Sequence, residues 1–99
     1  MLTGTHWEGI AGFCRAVRDG DRIAVSGTTA THRGRAIGGT DPAAQMHFVI
    51  DRIEGALHAL GARLEDVIRT RVFVRHTDGW EAVARAHGGR FREILPANT

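Results

Sequence analysis

Hydrophobic and polar positions along this chain repeat with different periods in different segments. Met46, Val49, Ile50, Ile53, Leu57 and Leu60 recur at three- and four-residue steps, which puts them on one face of an α-helix. Asp41-Pro42 opens that stripe, pairing a side chain that can cap free amides with a ring suited to the first helical position. Gly61 stands where a left-handed residue closes a helix. At about 1.5 Å per residue the predicted helix is about 28 Å long. His47, Asp51, Arg52 and His58 fall off the stripe and are expected to meet solvent or a partner.

Before this helix, Phe13 to Arg18 and Arg22 to Thr28 read as extended segments, joined by Arg18-Asp19-Gly20-Asp21. Asp-Gly between two β-type runs is a hairpin signal. The Gly- and Thr-rich stretch from Thr28 to Thr40 reads as a loop or irregular edge with a short strand at Arg35 to Gly38. After the helix, Val67 to Arg75 alternates. Ile68, Thr70, Val72 and Val74 should point one way, and Arg69, Arg71, Phe73 and Arg75 the other. The aliphatic face is expected to receive the long helix. A second helix is expected from Thr77 or Asp78 to about Leu95, carrying Trp80, Val83, Ala84, His87 and Phe91 on one side and interrupted at Gly88-Gly89. The order β-β-(β)-α-β-α implies an α+β fold, one mixed sheet covered on one face by two helices.

Composition narrows this picture. The 99 residues suit a single domain spanning 1–99. The single cysteine, Cys14, rules out an internal disulfide and makes a reducing compartment the default. No apolar run approaches the ~20 residues of a membrane span, and the first residues lack the basic-then-apolar order of a signal peptide. The expectation is a soluble cytoplasmic domain that does not engage a membrane. All 13 basic residues are arginines, so the isoelectric point is near 9.9 although the net charge is only +2. The arginines are scattered and interleaved with acids, which disfavours a nucleic-acid partner.

The candidate chemistry is sparse at this level. His47 and His58 would lie about 16 Å apart along the helix axis, too far to share a metal. Cys14 reads as a small packed residue rather than a nucleophile. Gly38-Gly39-Thr40-Asp41-Pro42 lacks the glycine spacing of a phosphate-binding loop, and Asp41 would repel phosphate. Arg69 and Arg71 would project on one side of a strand about 6.5–7 Å apart. They form either a solvent-facing row or a subunit-facing one that meets carboxylates, carbonyls or an anion.

The segments AGFCRAVRDGDRIAVSGTTA, DPAAQMHFVIDRIEGALHALGARLEDVIRTRVFV and GWEAVARAHGGRFREILPANT together resemble the RidA family, the YjgF-type reactive-intermediate deaminases formerly known as endoribonuclease L-PSP or translation inhibitors. The resemblance runs from about residue 4 to residue 99. It is most specific at Val25-Ser26-Gly27-Thr28, Ala44-Gln45, Gly61 through Val74, and Pro96-Ala97-Asn98-Thr99. It implies a chorismate-mutase-like α+β fold assembled as a homotrimer, with small-molecule clefts between subunits. The implied activity is hydrolysis of enamines and imines such as 2-aminoacrylate, without metal or organic cofactor.

Carried over residue by residue, the resemblance places Phe13 at the family's cleft tyrosine and Ser26-Gly27, followed by Thr28, at the strand end lining the pocket. It places Ala84 at the helix asparagine and His87 at a nearby aromatic. The Pro-x-Arg-Ser motif whose arginine holds the substrate carboxylate reads Pro96-Ala97-Asn98-Thr99. Loss of a hydrogen bond to a charged group costs about 1.5–3 kcal/mol, so the standard 2-aminoacrylate deaminase activity is not expected. Family members also continue beyond the point matched by Thr99, through one or two strands, so the expectation is a domain without those C-terminal strands. The expected catalytic residues are His87 and Asn98, the former because it exchanges protons near neutral pH. Phe13, Ser26, Gly27, Thr28 and Ala84 are expected to line the ligand. The rival readings are a metabolite-binding or regulatory module without turnover and, less favoured, a ribonuclease or translation inhibitor.

Overall fold

The computed structural model describes residues 9–99 other than residue 11. Strand β1, Ala16–Asp19, pairs antiparallel with β2, Arg22–Val25, in the register Ala16↔Val25 to Asp19↔Arg22. The tight turn between them is made possible by Gly20, whose φ of +60° lies in the region that glycine enters without steric penalty. Strands β3, Thr31–His32, and β4, Arg35–Ala36, form a second small hairpin within the Gly- and Thr-rich stretch.

Helix α1 spans Pro42–Ala59. Asp41 caps it as its sequence position implies, accepting from the backbone N–H of Ala43 at 3.0 Å and of Ala44 at 3.3 Å. At its other end Gly61 adopts φ +85°; the N–H of Ala62 reaches Leu57 O at 2.8 Å and that of Gly61 reaches His58 O at 3.1 Å. These two bonds form the Schellman closure, which satisfies carbonyls that the helix leaves free. His47, Asp51 and His58 are exposed as expected, while Arg52 is partly covered. Arg52 donates to His32 Nδ1 at 3.0 Å and sits over the Phe48 ring at 5.3 Å, tying the β3–β4 hairpin to α1.

Helix α2, Trp80–Phe91, follows a 3-10 turn at Thr77–Gly79. It passes through Gly88-Gly89 without a break and ends short of Leu95, a correction to the expected length. The N–H groups of Ile94 and Leu95 both return to Phe91 O at 3.0 and 2.9 Å, and Leu95 takes φ +53° ahead of Pro96. The chain is thereby turned out of helical geometry toward strand β6, Ala97–Asn98.

The segment after α1 departs most from its pattern. A 3-10 turn at Leu64–Asp66, where the Asp66 carboxylate accepts from Arg63 N–H at 2.9 Å, delivers Val67 into the core and leaves Ile68 84% exposed. Only Arg69–Thr70 forms a ladder strand, β5, paired in parallel with β6 at Arg69↔Ala97 and Thr70↔Asn98. One further bond, Val72 N–H to Thr99 O at 2.9 Å, extends the contact. The Ile68–Val74 face therefore does not receive the long helix. Alternation fixes which side chains share a face, but a strand also needs a neighbour, and here that neighbour is short. Among the described residues the strands divide among three two-stranded ladders, two antiparallel and one parallel.

The core is where α1, α2 and β2 meet. Ile50, Leu57, Leu64 and Phe91 are buried together, flanked by Ile23 and Val25 of β2, Met46, Ile53 and Val67. Arg90 reinforces the helix pair at its edge. Its guanidinium lies 2.7 Å from Asp51 Oδ1 and 3.6 Å from Glu54 Oε1, and donates to His47 O at 3.3 Å. Among the described residues no helix is long and apolar enough to cross a membrane.

Leu57→Ala is expected to lower unfolding free energy by about 2–5 kcal/mol through cavity formation. Asp41→Ala should cost about 1 kcal/mol through loss of the cap. Chemical denaturation of the two variants beside wild type checks both values.

Candidate functional site

The segment after β5, the C-terminal residues Asn98 and Thr99 and helix α2 together form the walls of a cleft of about 300 Å³. It is lined by Val72, Val74, Trp80, Val83, Ala84, His87, Asn98 and Thr99. Positions 80, 83, 84 and 87 lie at helical spacing, so one face of α2 supplies one wall. The cleft is mostly apolar, and His87, Asn98 and Thr99 are its polar lining residues.

Phe91 supports His87 from the core. Its buried ring stacks on His87 with centroids 4.5 Å apart and planes at 30°. Held from below, His87 places Nε2 2.9 Å from Thr70 Oγ1, and Asn98 Nδ2 donates to the same hydroxyl at 2.8 Å. Thr70 and Asn98 can be reached together because they are directly paired across the parallel ladder. Burial pushes the His87 imidazole below the ordinary histidine value, favouring its neutral form. With Asn98 donating to Thr70, the Thr70 hydroxyl keeps its own proton to give to a neutral Nε2.

Ala84, His87 and Asn98 of the sequence-derived set are thus brought together. Phe13, Ser26, Gly27 and Thr28 lie outside this cleft, on a second patch. There Ser26 Oγ donates to Cys14 O at 2.6 Å and Thr28 Oγ1 donates to Ser26 O at 3.0 Å. Arg15 Nη1 donates to Thr28 Oγ1 at 2.7 Å and to Gly27 O at 3.2 Å. Phe13 is 41% exposed.

Sequence reasoning gave no site role to Thr70, Val72, Val74, Trp80 or Thr99. The helical spacing of Trp80, Val83, Ala84 and His87 was the available signal, and by itself it is indistinguishable from core packing. Arg69, Arg71 and Arg75 are exposed, and the Arg69 guanidinium reaches the Thr99 hydroxyl. Among the described residues no cluster of three His, Cys, Asp or Glu side chains is placed to hold a metal ion.

Two helices packed on short mixed strands, with a cleft closed by the C-terminal strand, define an α+β protein of the YjgF type. The sequence model described as Endoribonuclease L-PSP matches residues 3–99, and the chain belongs to that family, the RidA proteins. An uncharacterised protein of Streptomyces coelicolor is 39% identical over 99 residues, which is all of this chain and 74% of that protein. A Mycobacterium tuberculosis member of the YjgF/YER057c/UK114 family superposes with a TM-score of 0.88 at 38% identity, covering 99% of this chain and 77% of the other. The YjgF gene product of Escherichia coli superposes with a TM-score of 0.78 at 25% identity, covering 88% of this chain and 71% of the other.

His87 should titrate by NMR with a midpoint below the ordinary 6.5. In the unfolded chain the imidazole takes up its proton near the ordinary value, before the folded state does. Stability is therefore complete above that value and declines as pH falls through it toward the lower folded-state midpoint. His87→Gln should flatten that part of the pH–stability curve.

Proposed function

We propose that this protein is a homotrimer that binds a small metabolite in clefts completed at subunit boundaries. Its reaction is hydrolysis of an imine, enamine or related C–N bond, on a substrate other than 2-aminoacrylate. The observation that carries this reading is the pair His87 and Asn98 in a mostly apolar cleft, both hydrogen-bonded to Thr70 Oγ1. Imine hydrolysis adds water across C=N to give a carbinolamine and then expels ammonia as the carbonyl forms, so both water protons pass in turn to the nitrogen. A neutral His87 accepts each through the Thr70 hydroxyl and returns it to the nitrogen, the first on water attack and the second as the carbinolamine O–H gives the carbonyl and ammonia departs. Asn98 orients the relay and offers a neutral amide to the substrate, where an arginine would have offered a charged fork for a carboxylate.

The surface supports an assembly. Phe73 is 89%, Ile68 84% and Leu95 81% exposed, and covering each such side chain is worth about 1.5–3 kcal/mol. In the proposed assembly the Phe13, Ser26–Thr28 patch of one chain completes the His87–Asn98 cleft of its neighbour. The lack of any carboxylate among the lining residues favours, as a second reading, a module that binds without turnover. The ribonuclease activity in the family's description draws less support, because His87 is the only lining side chain that titrates near neutrality.

Light scattering should return the mass of three chains. With 2-aminoacrylate generated in situ, wild type should barely accelerate pyruvate release, whereas neutral imines should release ammonia faster than in buffer. His87→Gln should slow that reaction by about 10²–10⁴-fold, and Asn98→Arg should raise the rate on 2-aminoacrylate. Strong wild-type turnover of 2-aminoacrylate abolished by Asn98→Ala would refute the altered specificity. Thermal stabilisation by a ligand without ammonia release would support the binding module. Steeply salt-dependent RNA binding would restore the ribonuclease reading.

A further inference from the structure

The cleft between α2 and the C-terminal residues is open to solvent along an apolar wall. Trp80 is 61% and Val74 42% exposed, and Val72, Val83 and Ala84 continue the same lining. No lining side chain carries a fixed charge, and burial favours the neutral form of His87. Arg69 meets a lining residue, reaching the Thr99 hydroxyl, but does not itself line the cleft. Phe13, Ser26, Gly27 and Thr28, which would complete the cleft from a neighbouring chain, bring no charge either. Arg15, the cation of that patch, is buried with Nη1 bonded to Gly27 O and Thr28 Oγ1. Asn98 lines the same cleft and is exposed. Its amide nitrogen gives one hydrogen to Thr70 Oγ1 at 2.8 Å. A primary amide has two such hydrogens and a carbonyl oxygen, so one donor and one acceptor remain on the same group. A carboxamide or lactam answers both, acceptor to donor and donor to acceptor. A carboxylate offers acceptors alone, and in an apolar cleft without a lining cation nothing replaces the hydration it loses.

We propose that the cleft binds an uncharged carboxamide or lactam, its amide paired with Asn98 and its apolar body laid against Trp80, Val83 and Val74. A cleft of about 300 Å³ is at the small end of ligand sites, so that body is a single ring or a short branched chain. Trp80 selects for the apolar body, and Asn98 selects amide over acid. For the reaction proposed above this names the substrate class, a neutral imine bearing a carboxamide and an apolar side chain. That extension rests on the hydrolase reading, whereas the ligand preference rests on the lining of the cleft alone.

The test compares benzamide with sodium benzoate, two planar molecules of nearly equal size that differ in charge and in the N–H donor. ¹H–¹⁵N NMR at constant ionic strength follows the Asn98 side-chain amide and the Trp80 indole, assigned by their loss in Asn98→Ala and Trp80→Phe. Both resonances should shift saturably with benzamide, and benzoate should bind at least about tenfold more weakly. Asn98→Ala, read at the Trp80 indole, should weaken benzamide binding about 2- to 13-fold, and Trp80→Ala, read at Asn98, by a similar factor. Trp80→Ala should keep the preference for amide over acid, whereas Asn98→Arg should reverse it. Equal or tighter binding of benzoate by wild type overturns the proposal, and so does benzamide affinity unchanged in folded Asn98→Ala. Absence of a saturable benzamide shift overturns it as well. Should Asn98→Arg not fold, the wild-type comparison and Asn98→Ala decide the matter. Binding is read apart from turnover. Ammonia release from neutral imines without a benzamide preference would overturn the ligand class and leave the hydrolase; a benzamide preference without ammonia release would do the reverse.

Discussion

Burial of Phe91 against Ile50, Leu57 and Leu64 is the contact on which the rest of the molecule depends. It fixes the C-terminal end of α2 against the middle of α1, and the apolar side chains of β2 close over the same cluster. One turn earlier on α2, His87 rests on the Phe91 ring, so core packing also sets the height and tilt of the imidazole. From there the position of Thr70, and through the ladder that of Asn98, follows within hydrogen-bond distance. A change in how Phe91 packs therefore reaches the polar groups of the cleft.

The second constraint is the return of the chain after α2. The turn through Ile94 and Leu95 brings Ala97–Asn98 beside Arg69–Thr70 in parallel, a pairing that needs a crossover between the strands, and α2 is that crossover. The same short ladder that limits β5 to two residues puts Thr70 and Asn98 side by side. Local regularity of the Val67–Arg75 strand and assembly of the cleft thus trade against each other at one place. Ile68 and Phe73, which a longer sheet would cover, remain at the surface.

Charge is distributed to match. The exposed pairs Arg63–Asp66 and Arg85–Glu81 are local helix and turn contacts of small energetic weight. Arg90, mostly covered and bonded to two carboxylates and a carbonyl, links the two helices. Arg15 is covered, but none of the ion pairs among the described residues includes it. The distinction between these sites is one of environment, since a guanidinium is charged in all of them.

Much of the architecture was legible in local pattern. The Asp41 cap, the apolar stripe of α1, its Gly61 closure and the Gly20 turn each depend on residues within a few positions of one another, and all four stand as read. The α+β class and the family followed from the ordered segments, and His87, Ala84 and Asn98 do meet in one cleft. Thr70 was not legible as a site residue, because its role comes from a partner 28 positions away. The same holds for the orientation of Ile68 and for Arg15. Its chemistry is set by how completely the fold covers it and by which atoms the Gly27–Thr28 backbone engages. Sequence by itself determined α1 with its cap, apolar face and closure, and the β1–β2 turn, since these obey short-range sterics and periodicity. Only the tertiary structure decided which faces meet, where the strand ends and which polar groups are left for a ligand, because those depend on contacts between residues far apart in the chain.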